Sequence, residues 1–143
     1  MASQLRQLNV MHSLLECQVD LNAENEDKET PLSLALRNGN EDVTRLLLHR
    51  HANVDHRDGE GRTALHGASK KGHTSVLWAL LESGADPNTK SACHWFPLHL
   101  MLRTGNIAIA EVLLQSGANV NAWNDSRWTP LHMALQKGHW DVV

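Results

Sequence analysis

The chain has 143 residues and a formal net charge of −3, which gives no general attraction to nucleic acid or anionic lipid, since that needs a strong basic excess. Two cysteines, Cys17 and Cys93, lie in unlike surroundings and indicate no disulfide framework, so reduced thiols in the cytoplasm or nucleus are expected. Arg6, His12 and Glu16 interrupt the apolar residues at the start, which leaves no signal-peptide core, and no run of about 18 apolar residues is present for membrane insertion.

In chain order, residues 1–18 read as a single helix closing on Leu14-Leu15, a partial unit. The segment 19–51 opens on Val19-Asp20-Leu21-Asn22 and carries Thr30-Pro31-Leu32-Ser33-Leu34-Ala35, then Gly39 and Leu47-Leu48. The segment 52–84 opens on Ala52-Asn53-Val54-Asp55 and carries Thr63-Ala64-Leu65-His66-Gly67-Ala68, then Gly72 and Leu80-Leu81. The segment 85–117 repeats the pattern with Ala85-Asp86-Pro87-Asn88, Phe96-Pro97-Leu98-His99-Leu100-Met101, Gly105 and Leu113-Leu114. An incomplete copy, 118–143, follows with Ala118-Asn119-Val120-Asn121, Thr129-Pro130-Leu131-His132-Met133-Ala134 and Gly138.

The phrases beginning at positions 30, 63, 96 and 129 stand 33 residues apart. A fixed period of this size marks a stacked solenoid, and a unit carrying T-P-L-H-x-A resembles the ankyrin repeat over nearly the whole chain. The resemblance implies an all-α solenoid of helix-turn-helix pairs joined by β-hairpin fingers. It also implies a protein-interaction scaffold or adaptor with no catalysis, cofactor or metal, expected as a monomer. A regulatory segment of a larger enzyme or channel is an alternative role.

Within a unit, Thr30, Thr63 and Thr129 are predicted to cap the first helix, and Pro31, Pro97 and Pro130 suit its first turn. Gly72 and its equivalents suit a left-handed stop. The second helix of 52–84 places Val76, Leu77, Leu80 and Leu81 on one buried face. Gly84 and Gly117 fit the left-handed stop after that helix; His51 and Gln18 occupy the same position at a cost of about 1–2 kcal/mol if left-handed. Phe96 in place of the capping Thr forfeits roughly 1 kcal/mol of cap unless its ring packs. The register of Asp141-Val142-Val143 matches the start of a further second helix, so the chain reads as a fragment whose last helix should be poorly protected.

Ten histidines invite a metal reading, but His66, His99 and His132 fall in one register column. Packed helices lie roughly 10 Å apart, too far for zinc ligands at about 2 Å. These histidines are expected to be neutral hydrogen-bonding residues. Glu24, Glu26, Asp27 and Glu29 form a run, not a pair set across a cleft, and no nucleophile or phosphate-loop motif is present.

In ankyrin-like proteins the partner faces the finger tips and the inner helices. Carried over by register, that surface includes Arg57, Arg62, Lys70, Lys71, Trp95, Arg103, Trp123, Trp128 and Lys137, which are the candidate partner-binding residues. Five Trp stand against one Phe and no Tyr, and Trp and Arg are enriched at interface hot spots. Trp95 and Trp128 share a register position and are expected to neighbour each other as an aromatic ledge, with Phe96 bracing Trp95. A protein partner is the primary expectation. Single-stranded nucleic acid stacking on Trp95 and Trp128 is the rival, and the acidic balance argues against it. Trp78 falls on the exposed flank of its helix. Asn22, Asn88 and Asn121 occupy loops resembling the site at which asparaginyl hydroxylases modify ankyrin repeats, with Asn121 the expected target.

Overall fold

The computed structural model describes residues 2–17 and 19–138, with no side-chain detail for residues 2–8 and Lys71. Among them the chain forms eight helices and no strand: α1 (Ala2–Glu16), α2 (Pro31–Asn38), α3 (Glu41–His49), α4 (Ala64–Lys71), α5 (Thr74–Glu82), α6 (Pro97–Thr104), α7 (Ile107–Gln115) and α8 (Pro130–Lys137). The inner helices α2, α4, α6 and α8 pack in sequence, as do the outer helices α1, α3, α5 and α7, and each inner helix from α2 to α6 packs on the outer helix that follows it. The result is a two-layered all-α stack.

Each inner helix starts and stops for a local reason. Thr30 and Thr129 accept main-chain N–H bonds from Ser33 and His132, which satisfies a donor the helix itself leaves unpaired. Gly39, Gly72, Gly105 and Gly138 end the helices in the left-handed region. His51 adopts φ 62° at the stop after α3, where Gly84 and Gly117 stand in later units. The corresponding Gln18 and the segment 141–143 lie outside the described residues.

The core is a continuous seam between layers. In the central pair, Leu65, Ala68 and Ser69 of α4 meet Val76, Leu77 and Leu80 of α5, all almost fully buried. Burying one such leucine stabilises the fold by about 2 kcal/mol. The small Ala35, Ala68 and Ala134 are likewise buried on α2, α4 and α8, where they allow close packing, while Met101 fills the same column on α6. Leu32, Leu65 and Leu98 are covered by the next unit, whereas Leu131 in the same column is 51% exposed on the end face.

The connections expected as β-hairpins are tight turns without a strand ladder among the described residues. The arms of each finger are joined only by local main-chain bonds: Asn25, Asp58, Ser91 or Asn124 donates to the carbonyl four residues on and accepts from the N–H three residues on. That is too little pairing for a ladder.

Candidate functional site

Four finger tips are built alike. Asn25 Oδ1 accepts from the main-chain N–H of Asp27 and Glu29, Asp58 Oδ1 from those of Glu60 and Arg62, and Asn124 Oδ1 from those of Ser126 and Trp128; Ser91 Oγ accepts from Trp95 alone. A short side chain closing its own turn is what Asn, Asp and Ser do well. The third residue after each takes a positive φ: Lys28 58°, Gly61 69°, His94 54° and Arg127 58°. Sequence reasoning missed this device, although the spacing of Asn25, Asp58, Ser91 and Asn124 carried the signal.

Fingers two and three are stitched together. Ala92 N–H donates to Glu60 O at 2.9 Å, and Arg57 Nη1 donates to Lys90 O at 2.6 Å and Gly61 O at 3.2 Å. Arg57 therefore holds neighbouring fingers in register. Arg57, one of the partner-facing candidates, is exposed and has Nη1 engaged with these two carbonyls.

Below the fingers, histidines join inner helices to the next finger. His66 Nε2–H donates to Trp95 O at 2.9 Å while Nδ1 accepts from Thr63 N–H at 3.1 Å, so the two bonds fix the tautomer. His99 Nε2–H bonds Trp128 O at 2.9 Å in the same way. Burial holds both imidazoles below the ordinary histidine value, opposed by the bond each makes to a carbonyl. His99 Nδ1 is buried without a partner, because Phe96 offers no hydroxyl where Thr63 does.

The rings are arranged differently from the expected ledge. Trp95 meets His99 edge-on at 6.0 Å and Phe96 lies on the same imidazole at 5.6 Å, so Phe96 and Trp95 flank His99. Trp128 rests against His132 at 6.3 Å. No ring contact joins Trp95 to Trp128, since each is anchored by the histidine four residues on. Trp123 is 60% exposed, Trp78 is exposed on α5, and Lys137 is exposed on α8.

A concave groove of about 720 Å³ runs over α2, α4 and α6 beneath fingers two and three. It brings together Arg62, Lys70, Trp95 and Arg103 of the candidate residues; Trp123, Trp128 and Lys137 lie outside its lining. The side chain of Lys71 lies outside the described residues. The Arg103 guanidinium stands 5.6 Å from the centre of the Trp95 ring, within cation–π range.

The groove's carboxylates are already matched. Glu29 pairs with Arg37 at 2.7 Å, and Arg62 reaches Asp58 at 2.9 Å and Glu60 at 2.8 Å. Burial pushes the Asp58 carboxyl up, but hydrogen bonds from Arg62 and from the Glu60 main chain outweigh it and leave the group below the ordinary carboxylate value. Lys70 and Arg103 have no carboxylate partner among the described residues. No group of three His, Cys, Asp or Glu among those residues is placed to hold a metal ion.

The three asparagine candidates differ. Asn22 Oδ1 accepts from Asn53 N–H at 2.8 Å, and Asn88 Oδ1 accepts from Asn119 N–H at 2.7 Å while its amide donates to Gly117 O at 3.0 Å. Each ties its unit to the next. Asn121 donates its main-chain N–H to Asn119 Oδ1 at 2.9 Å, and its exposed side chain makes no hydrogen bond among the described residues.

Stacked helix pairs with fingers turned over one concave groove define a helical-repeat solenoid. Residues 1–91 match the family model described as ankyrin repeats (3 copies), and residues 102–143 match that described as ankyrin repeats (many copies). The chain belongs to the ankyrin-repeat family, whose repeats are generally protein–protein interaction modules and typically non-catalytic. Among the described residues no helix is long and apolar enough to cross a membrane.

Proposed function

We propose that the chain is a non-catalytic adaptor or scaffold segment whose concave groove holds a segment of another protein. The observation that carries this reading is the Arg103 guanidinium over the Trp95 ring, at the lip of a groove in which Lys70 and Arg103 lack internal carboxylates. A partner segment with a large apolar side chain and acidic neighbours complements that surface, through ring packing for the first and charge for the second. Arg62 contributes less, because two carboxylates already neutralise it.

The test is capture of partners from cytosolic extract on the native chain and on Trp95→Ala, with thermal melting of both. Loss of a partner from a variant that melts normally supports the groove; equal capture by the folded variant overturns it. The rival reading, base stacking along Trp95 and Trp128, is weakened by the separate histidine anchors of the two rings. It predicts a steep fall of affinity with salt.

A second reading concerns Asn121 as a substrate for asparaginyl hydroxylation. Its side chain carries no bond to a neighbouring unit, whereas those of Asn22 and Asn88 do. The 31-residue step that gives Asn22 and Asn88 their inter-unit bonds leads from Asn121 past residue 143, so the reading concerns this segment alone.

A further inference from the structure

One inner-helix column has a gap in it where it meets the groove, at the position that Gly67 and Leu100 bring into the groove lining. Leu34, Leu100 and Met133 occupy the position one 33-residue step apart in their units, and Gly67 occupies it in α4. Gly67 lies inside the helix, between the cap at Thr63 and the stop at Gly72, and is exposed. A Cβ added there meets no atom within 4 Å. The backbone is helical, so no left-handed conformation demands glycine, and alanine would favour the helix more strongly. Nothing in the packing explains the missing side chain. Its consequence is open space above the helix backbone in the groove, whose lining includes Gly67 together with Lys70, Trp95, Leu100 and Arg103.

We infer that Gly67 is a specificity-determining residue, whose notch admits a large apolar side chain of a peptide segment carrying a carboxylate nearby. This rests on the groove reading above and adds the residue that sets which side chain fits. The apolar character follows from Leu36, Ala64, Leu100 and Trp95, which line the same groove as Gly67. The carboxylate follows from Lys70, one turn further along α4, and Arg103 on α6, both without an acidic partner among the described residues. A carboxylate there joins Lys70 and reaches the guanidinium already held over Trp95, while Arg62, already paired with Asp58 and Glu60, offers it little.

The experiment selects a random peptide display library on the native chain and measures the affinity of an enriched synthetic peptide for Gly67→Ala, Gly67→Met, Trp95→Ala and Lys70→Glu. Enriched sequences are expected to pair a large apolar residue with Asp or Glu. Gly67→Met should melt at or above the native temperature, because the site is open, yet bind about tenfold or more weakly because its side chain fills the notch; Gly67→Ala should show a smaller loss. Native affinity in Gly67→Met beside a clear loss in Trp95→Ala overturns the notch and leaves the groove reading standing. A Gly67→Met variant that melts well below the native chain also overturns it, since the glycine is then structural. Enriched peptides without acidic residues overturn the carboxylate. Undiminished affinity in every variant, or a library that yields no enriched sequence, overturns notch and groove together.

Discussion

The imidazole of His66 is bonded through Nε2 to the main-chain carbonyl of Trp95, 29 residues further on, so the inner helix of one unit holds the finger of the next. The residue that lines the groove is thus fixed at its backbone by a buried group that must remain neutral at Nδ1. Protonating Nδ1 turns its bond with Thr63 N–H into a clash of two donors.

That arrangement sets a pH dependence. Burial lowers the folded-state value of His66 and His99 from the ordinary 6.5, so the unfolded chain binds more protons between the lowered values and 6.5. Their contribution to stability is complete above about 6.5 and is lost as pH falls through the lowered values. Melting temperature should decline on acidification from pH 7.5 to 5. A flat or rising profile over that interval would rule the histidine column out as its acid-sensitive element.

Phe96→Thr should stabilise the third unit by about 1 kcal/mol in denaturant melts, because a hydroxyl there caps α6 and supplies His99 Nδ1 with a donor. The ring it removes is only half buried and packs on His99 at 5.6 Å, which offsets part of the gain. Destabilisation of similar size would mean that the ring packing is worth more than the cap and the restored bond.

How much of this was legible in the sequence depends on whether a residue's role repeats. Thr30, Thr129 and Gly72 are tied to local backbone geometry that recurs every unit, and their roles could be read from register alone. The burial of Val76, Leu77 and Leu80 follows from helical spacing in the same way. Arg57 could not be read, because its bonds to two carbonyls depend on where the next finger sits. Register places Trp95 and Trp128 in one column but carries no side-chain direction, and so could not show that each ring contacts the histidine four residues on. Gly67 was visible only as part of a repeated phrase, and its significance needs the open space above it.

Gly61→Ala should destabilise by about 2 kcal/mol. The residue holds φ 69°, and an added Cβ would lie 2.9 Å from Ala92 N, so left-handed strain and steric conflict act together. Ala92 N–H bonds Glu60 O beside it, and its amide should exchange faster in the variant than in the native chain. Unchanged protection of Ala92 would show that the two fingers tolerate the methyl group without separating.

Incubation with an asparaginyl hydroxylase, followed by peptide mass spectrometry, should place added oxygen on Asn121 well before Asn22 or Asn88. The order holds for this 143-residue chain and follows from the bonds within it: Asn22 bonds Asn53 and Asn88 bonds Asn119, each 31 residues on, with a further bond from Asn88 to Gly117, while the equivalent position for Asn121 lies past residue 143. Modification of Asn88 first would contradict it, as would the absence of oxygen at all three.

Trp95 and Lys70 should separate the two phases of binding. Trp95→Ala removes the ring that Arg103 covers and that a ligand's apolar group would meet, so affinity should fall by about 2 kcal/mol, chiefly through a faster off-rate. Its main chain still accepts the His66 bond, and the melting temperature should therefore change less than for a buried core truncation. Lys70→Glu leaves the apolar surface intact but reverses an exposed charge with no internal partner. It should lower the on-rate and flatten the dependence of that rate on salt, with little effect on dissociation. Both rates are read from surface-immobilised chain at several ionic strengths, using a peptide selected on the native protein. A Lys70→Glu variant with native on-rate and salt slope would remove charge steering from the account, and a Trp95→Ala variant that loses binding only as its third unit melts would make the ring a packing residue.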